Sequence, residues 1–177
     1  MTSAASDLPA PAAWKSPARR GASHAEEISI VAARELFSDG VGALVDVREL
    51  VEFTMSPHVP GAWFLPASNL MRFMGHPLSE YIAELSGEMP AHVDVRSLVR
   101  ALRGFCASGG IILCFCRSGR RSLEAAVSLR ALGCTRAVSV SGGILSWVEA
   151  GFESAEGLPA VLAPSRPGSA AGAALAD

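Results

Sequence analysis

The run Ile111-Ile112-Leu113-Cys114-Phe115 is apolar at every position, and it ends in Cys116-Arg117-Ser118-Gly119-Arg120-Arg121-Ser122, a short glycine-containing loop from which a helix departs at once. Other short apolar segments at 28–30, 43–47, 61–65 and 137–140 read as strands. Helical spacing occupies 31–37, 49–53, 121–132 and 144–149 between them, with stops at Asp39-Gly40 and Gly133. Short apolar strands alternating with helices bury both faces of a sheet, so the pattern predicts an α/β fold with a parallel sheet and helices on either side. In such sheets ligands bind beyond the carboxyl ends of the strands, which is where Cys116 falls.

Between the third and fourth strands lies a long segment, 66–110, with helix candidates at 68–74, 78–85 and 93–106. Connections of this length are uncommon unless they are functional or carry structure of their own. It is expected to add helices that pad one sheet face, or to serve as a flap or partner surface. The stretches 1–25 and 154–177 are rich in Ala, Pro, Ser and Gly, too poor in bulky side chains to offset the entropy of ordering, and both are expected to be flexible. That leaves 26–153 as one domain, a size in keeping with a chain of 177 residues of which 50% are hydrophobic.

A formal net charge of -2 gives no general pull toward nucleic acid or an anionic membrane, so any attraction for anions must be local. No stretch reaches the roughly 18 apolar residues of a membrane-crossing helix. The N-terminal segment, interrupted by Pro9, Pro11 and Pro17, does not read as a secretory signal, and a cytoplasmic location is the expectation. The four cysteines are expected to be thiols; with no CxxC pair and no matched Cys/His set, no metal site is expected.

The loop after Ile111–Phe115 suggests nucleophilic chemistry. A strand that runs into a helix N-terminus points unpaired backbone N–H groups over one spot, where the positive end of the helix dipole adds to the field. A thiolate on Cys116 is stabilised there, and the nearby guanidinium groups of Arg117, Arg120 and Arg121 act in the same direction. Arg117 and Arg120 are candidate contacts for an anionic donor, Ser118 offers a hydroxyl and an amide, and Gly119 permits a positive φ or a close approach. Four residues separate Cys116 from Arg121, one fewer than in the phosphate-binding loops of cysteine phosphatases. The smaller ring suits one extra sulfur atom, carried as a persulfide, better than a tetrahedral phosphate.

The segment 116–122 resembles the active-site loop of the rhodanese sulfurtransferases. Val45-Asp46-Val47-Arg48, Glu52-Phe53 and His58-Val59-Pro60-Gly61-Ala62 are similar to that family's first signature, and Ser141-Gly142-Gly143-Ile144, Trp147 and Gly151-Phe152 to its closing one. The resemblance implies a three-layer α/β/α domain around a central, mainly parallel five-stranded sheet. It implies Cys116 as the nucleophile, with Arg117, Ser118, Gly119, Arg120 and Arg121 forming the persulfide-binding loop. Arg121 would brace the loop through buried carboxylates, with Asp46 and Glu52 both candidate partners; Arg48 and Glu52 could equally form a simple i,i+4 helix pair.

The implied reaction moves sulfane sulfur from a small anionic donor such as thiosulfate to cyanide, a thiol or a protein acceptor, with no metal and no organic cofactor. Two alternatives stand beside it: a non-enzymatic sulfur carrier or regulatory module docking through 66–110, and a cysteine-based phosphatase or arsenate reductase. Cys114 is expected in the core, with a resolving role disfavoured by strand geometry. Cys106 and Cys134 are assigned no chemistry, His58 is read as a turn residue, and Trp147 as a core anchor.

Overall fold

The structure is a computed structural model that describes residues 26–158 of the chain. Its sheet has five strands: β1 (Glu27–Ile28), β2 (Gly42–Asp46), β3 (Trp63–Phe64), β4 (Ile111–Phe115) and β5 (Ala137–Val140). They lie in the order β1-β5-β4-β2-β3, and every pairing is parallel. The apolar run Ile111–Phe115 is therefore the central strand, bordered on one side by β2 and on the other by β5.

Among the described residues there are six helices: α1 (Ile30–Ser38), α2 (Ala67–Phe73), α3 (Glu80–Glu88), α4 (Val95–Ala107), α5 (Arg120–Ala131) and α6 (Gly143–Glu149). A 3-10 turn, Leu50–Thr54, replaces the expected helix at 49–53. The first strand is shorter than expected and Ile30 belongs to α1, because the Ser29 hydroxyl accepts from the Ala32 amide at 3.2 Å and starts the helix there.

Residues on alternate sides of the strands build two cores. Leu44, Leu113, Phe115, Val138 and Val140 pack with Ala33 of α1 and Ile144 and Trp147 of α6. Trp147 meets Phe115 and Phe152 edge to face, at 5.8 and 5.2 Å, and donates Nε1–H to the Glu153 carbonyl at 2.8 Å. On the opposite side Ala43, Val45, Ile112, Cys114 and Ala137 pack with Leu70 of α2, Leu98, Val99 and Leu102 of α4, and Ala125, Ala126 and Leu129 of α5. The helices α2 and α4 of segment 66–110 thus pad one sheet face, whereas α3 leans on the 3-10 turn.

The expected flexible stretch 1–25, and 159–177 of the expected tail, fall outside the described residues. Just past Glu153 the chain is tied down: Ala155 and His58 exchange backbone hydrogen bonds of 2.8 Å. Among the described residues no helix is long and apolar enough to cross a membrane.

Candidate active site

Cys116 follows β4 directly and is 1% exposed, at the carboxyl edge of the sheet. Gly119, at φ +102°, turns the chain back so that its amide N–H points at Cys116 Sγ, 3.1 Å away. A side chain at Gly119 would be strained by that φ and would bring a Cβ to 3.3 Å from the Gly142 nitrogen. Helix α5 begins at the next residue, so its positive end lies beside the sulfur.

The outer side of the loop is held by α6. The Ile144 amide donates to the Cys116 carbonyl at 2.8 Å and the Leu145 amide to the Arg117 carbonyl at 3.2 Å. Loop carbonyls are thereby turned outward and occupied. Gly143 makes this approach possible: at φ +56°, an added Cβ would overlap the Cys116 carbonyl oxygen and the Arg117 carbonyl group.

Behind the sulfur lies a buried hydroxyl pair. Ser122 Oγ is 3.6 Å from Cys116 Sγ, donates to the Gly119 carbonyl at 2.7 Å, and lies 2.9 Å from Ser139 Oγ on β5. The sequence signal for Ser122 was its place in the first turn of a helix that starts at the loop, which aims its side chain back at Cys116. Nothing in the sequence paired it with Ser139.

The structure decides between the carboxylates left open by the sequence. Arg121 forms a two-pronged pair with Glu52, Nη1–Oε2 2.6 Å and Nη2–Oε1 2.7 Å, across 69 positions of sequence. Burial works against the Arg121 charge, but this bond, and after it the nearby Cys116 sulfur and Tyr81 phenol, hold its proton more tightly than usual. Asp46 lies elsewhere: its carboxylate takes Arg48 Nε and Nη2, the latter at 2.7 Å, with both side chains buried. The simple Arg48–Glu52 helix pair does not form, because the turn is 3-10 and Arg48 is committed to Asp46.

Glu49 escaped the sequence reading. Its carboxylate accepts from the Ser68 amide at 2.8 Å and the Ser68 hydroxyl at 2.7 Å, while its own amide donates to Glu52 Oε2 at 2.7 Å. Burial raises the Glu49 carboxyl above its ordinary value, against the Ser68 hydrogen bonds and the Arg121 charge.

Arg117, Ser118 and Arg120 are exposed around the buried sulfur. Among the described residues Arg117 and Arg120 have no carboxylate partner, so the rim of the site carries unneutralised positive charge. Cys114, one strand pleat back, is buried in the core, and burial pushes its thiol up; Cys134, also buried, is pushed up to about 12. All four cysteines are free thiols.

Comparison with known proteins places this geometry. The rhodanese-like domain family matches residues 29–150. A human thiosulfate:glutathione sulfurtransferase is 28% identical over 125 residues, covering 71% of this chain and 95% of its own length. Two solved structures share the fold: a thiosulfate sulfurtransferase from Pseudomonas aeruginosa, with a TM-score of 0.51 at 17% identity over 81% of this chain and 22% of that one, and a Rhodopseudomonas palustris protein of unknown function described as a possible tyrosine phosphatase, with a TM-score of 0.51 at 22% identity over 73% and 84%.

Proposed function

The chain belongs to the rhodanese-like domain family, and from that premise we propose that it is a sulfurtransferase that carries sulfane sulfur on Cys116. The single observation behind the reading is the placement of Cys116 Sγ against the Gly119 amide at 3.1 Å, at the positive end of α5, with the Cys116 and Arg117 carbonyls turned away onto α6.

In the first half-reaction the Cys116 thiolate attacks the outer sulfur of an anionic donor such as thiosulfate. A sulfur–sulfur bond forms to Cys116, the donor's own sulfur–sulfur bond breaks, and sulfite leaves with that bond's electron pair. The exposed Arg117 and Arg120 draw the donor in and offset charge on the leaving group. In the second half-reaction an acceptor attacks the outer persulfide sulfur; cyanide leaves as thiocyanate, or a thiolate leaves as its persulfide, and Cys116 returns as thiolate. Arg121 takes no direct part, since both its terminal nitrogens are held by Glu52. Its role is to keep the loop closed.

The test is intact mass after incubation with thiosulfate. A gain of one sulfur atom, removed by cyanide and absent in Cys116→Ala, is the expected result. No gain with thiosulfate, or a gain that persists in Cys116→Ala, would overturn the proposal.

A further inference from the structure

Strand β5 is buried at all four of its positions, Ala137, Val138, Ser139 and Val140, yet one of them is a serine. A hydroxyl in a sheet core costs free energy unless it is hydrogen-bonded. Among the described residues Ser139 Oγ has one partner, Ser122 Oγ at 2.9 Å, and Ser122 is itself fully buried. The Ser139 hydrogen therefore goes to Ser122, whose own hydrogen goes to the Gly119 carbonyl at 2.7 Å. The remaining neighbour of Ser122 Oγ is Cys116 Sγ, 3.6 Å away.

Where these hydrogens point depends on the sulfur. A thiol at Cys116 donates to Ser122 Oγ, which accepts from the thiol and from Ser139 and donates to Gly119, so the full bonding capacity of Ser122 is used. A charged sulfur has no hydrogen to give. Ser122 then holds an empty lone pair beside a negative sulfur, and a turn about its Cβ–Oγ bond brings its own hydrogen onto that sulfur. The Gly119 carbonyl can release it, since the residue before a helix also accepts that helix's first backbone bond. Ser139, with no second acceptor, goes on donating to Ser122 and polarises the Ser122 hydroxyl toward the sulfur.

We propose that Ser139 is a positioning residue for sulfur release: by donating to Ser122 it holds and polarises the Ser122 hydroxyl, which donates to Cys116 Sγ as negative charge develops there. This rests on the sulfurtransferase reading and adds two side chains to its second half-reaction. In that step the acceptor forms a bond to the outer sulfur, the bond from that sulfur to Cys116 Sγ breaks, and its electron pair stays on Cys116 Sγ; the Ser122 hydrogen remains on its oxygen. In the first half-reaction Cys116 Sγ gives up charge as it attacks. A donor on this atom therefore assists discharge and restrains loading.

The experiment times the two half-reactions separately. Loading from thiosulfate is followed by intact mass at a pH where its rate no longer rises, and discharge of the loaded protein by cyanide is followed through the thiocyanate formed. Ser122→Ala should slow discharge about tenfold, the size of one hydrogen bond to a charged group, and Ser139→Ala about threefold, with loading no slower than in the unaltered protein. Adding Ser139→Ala to Ser122→Ala should change discharge no further. Ser139→Ala leaves Ser122 bonded to Gly119 and strands no buried group, so its two rates can be read even if Ser122→Ala fails to fold. Equal slowing of both half-reactions in Ser139→Ala would mean that the serine only packs the loop, an undiminished effect without Ser122 would mean that it does not act through that hydroxyl, and unchanged discharge would mean that the pair does not reach the charge. Each overturns the inference and leaves the sulfurtransferase reading intact. Failure of the unaltered protein to gain sulfur from thiosulfate would instead remove that reading, and the inference with it.

Discussion

Removing the charge from Glu52 should loosen the loop that holds Cys116, and the structure sets the size of the effect. The Glu52 carboxylate accepts from Arg121 at 2.6 and 2.7 Å and from the Glu49 amide at 2.7 Å. The two side chains of the pair are 13% and 6% exposed, so little solvent is available to replace a lost partner. In Glu52→Gln the guanidinium keeps its charge but faces an amide, one end of which is itself a donor. Stranding one partner of a buried pair costs about 3 to 5 kcal/mol, and the partial exposure of Arg121 puts this case near 3. Against a total stability of roughly 5 to 15 kcal/mol that is a large share, and at about 3 °C per kcal/mol it lowers Tm by about 10 °C. Urea unfolding of Glu52→Gln, Arg121→Met and the double variant closes a cycle. The double variant should be more stable than Glu52→Gln alone, because the second change removes the stranded charge. A loss below about 1 kcal/mol in Glu52→Gln, or strict additivity in the cycle, would refute the claim that this pair clamps the loop.

Gly143→Ala places a Cβ on the Cys116 and Arg117 carbonyls at a φ that L residues avoid, and should cost about 2 to 3 kcal/mol and abolish sulfur loading, read by urea unfolding and intact mass; Gly104→Ala, exposed within α4 with open space around it, should instead gain about 0.5 to 1 kcal/mol. Glu49 supplies a pH dependence: its carboxyl is raised on folding, so its stabilising contribution is complete below the ordinary glutamate value and is lost as pH climbs through the raised one. Glu49→Gln, neutral throughout, should therefore gain on the unaltered protein in urea midpoint as pH rises from 4 toward 7, and a constant or opposite difference would contradict it.

The strands and the loop were legible because their signals are local. An unbroken apolar run such as Ile111–Phe115 has one natural place in an alternating chain, and the residues from Cys116 to Ser122 carry their own geometry in a glycine and a helix start. Element edges moved where a single cap decided them, as at Ser29. What the sequence left open were the pairings that depend on how far elements approach in space. Asp46, Glu49 and Glu52 are three acids within seven positions beside Arg48, and spacing alone allows several arrangements. The 3-10 turn settles them, sending Glu52 to Arg121, Glu49 to Ser68 and Asp46 to Arg48. Ser139 was invisible for the same reason, lying on a strand that meets Ser122 only after the chain has folded.

The two ion pairs have different work. Arg48 is fully buried, and besides Asp46 it donates to Ser56 Oγ at 2.7 Å and the Pro57 carbonyl at 3.0 Å, while its guanidinium lies 4.3 Å over the Phe53 ring. It therefore joins the end of β2 to the far side of the 3-10 turn, bracing both ends of the segment that carries Glu52. A buried ion pair is a weak source of net stability, since the cost of desolvating both charges nearly offsets their attraction. Its value here is positional: Arg48 fixes the turn, the turn presents Glu52, and Glu52 holds Arg121 in the first turn of α5, whose leading end faces Cys116 Sγ. A change at Arg48, which touches no part of the loop, should reach the sulfur through those links alone, whereas a change at Glu52 reaches it in one.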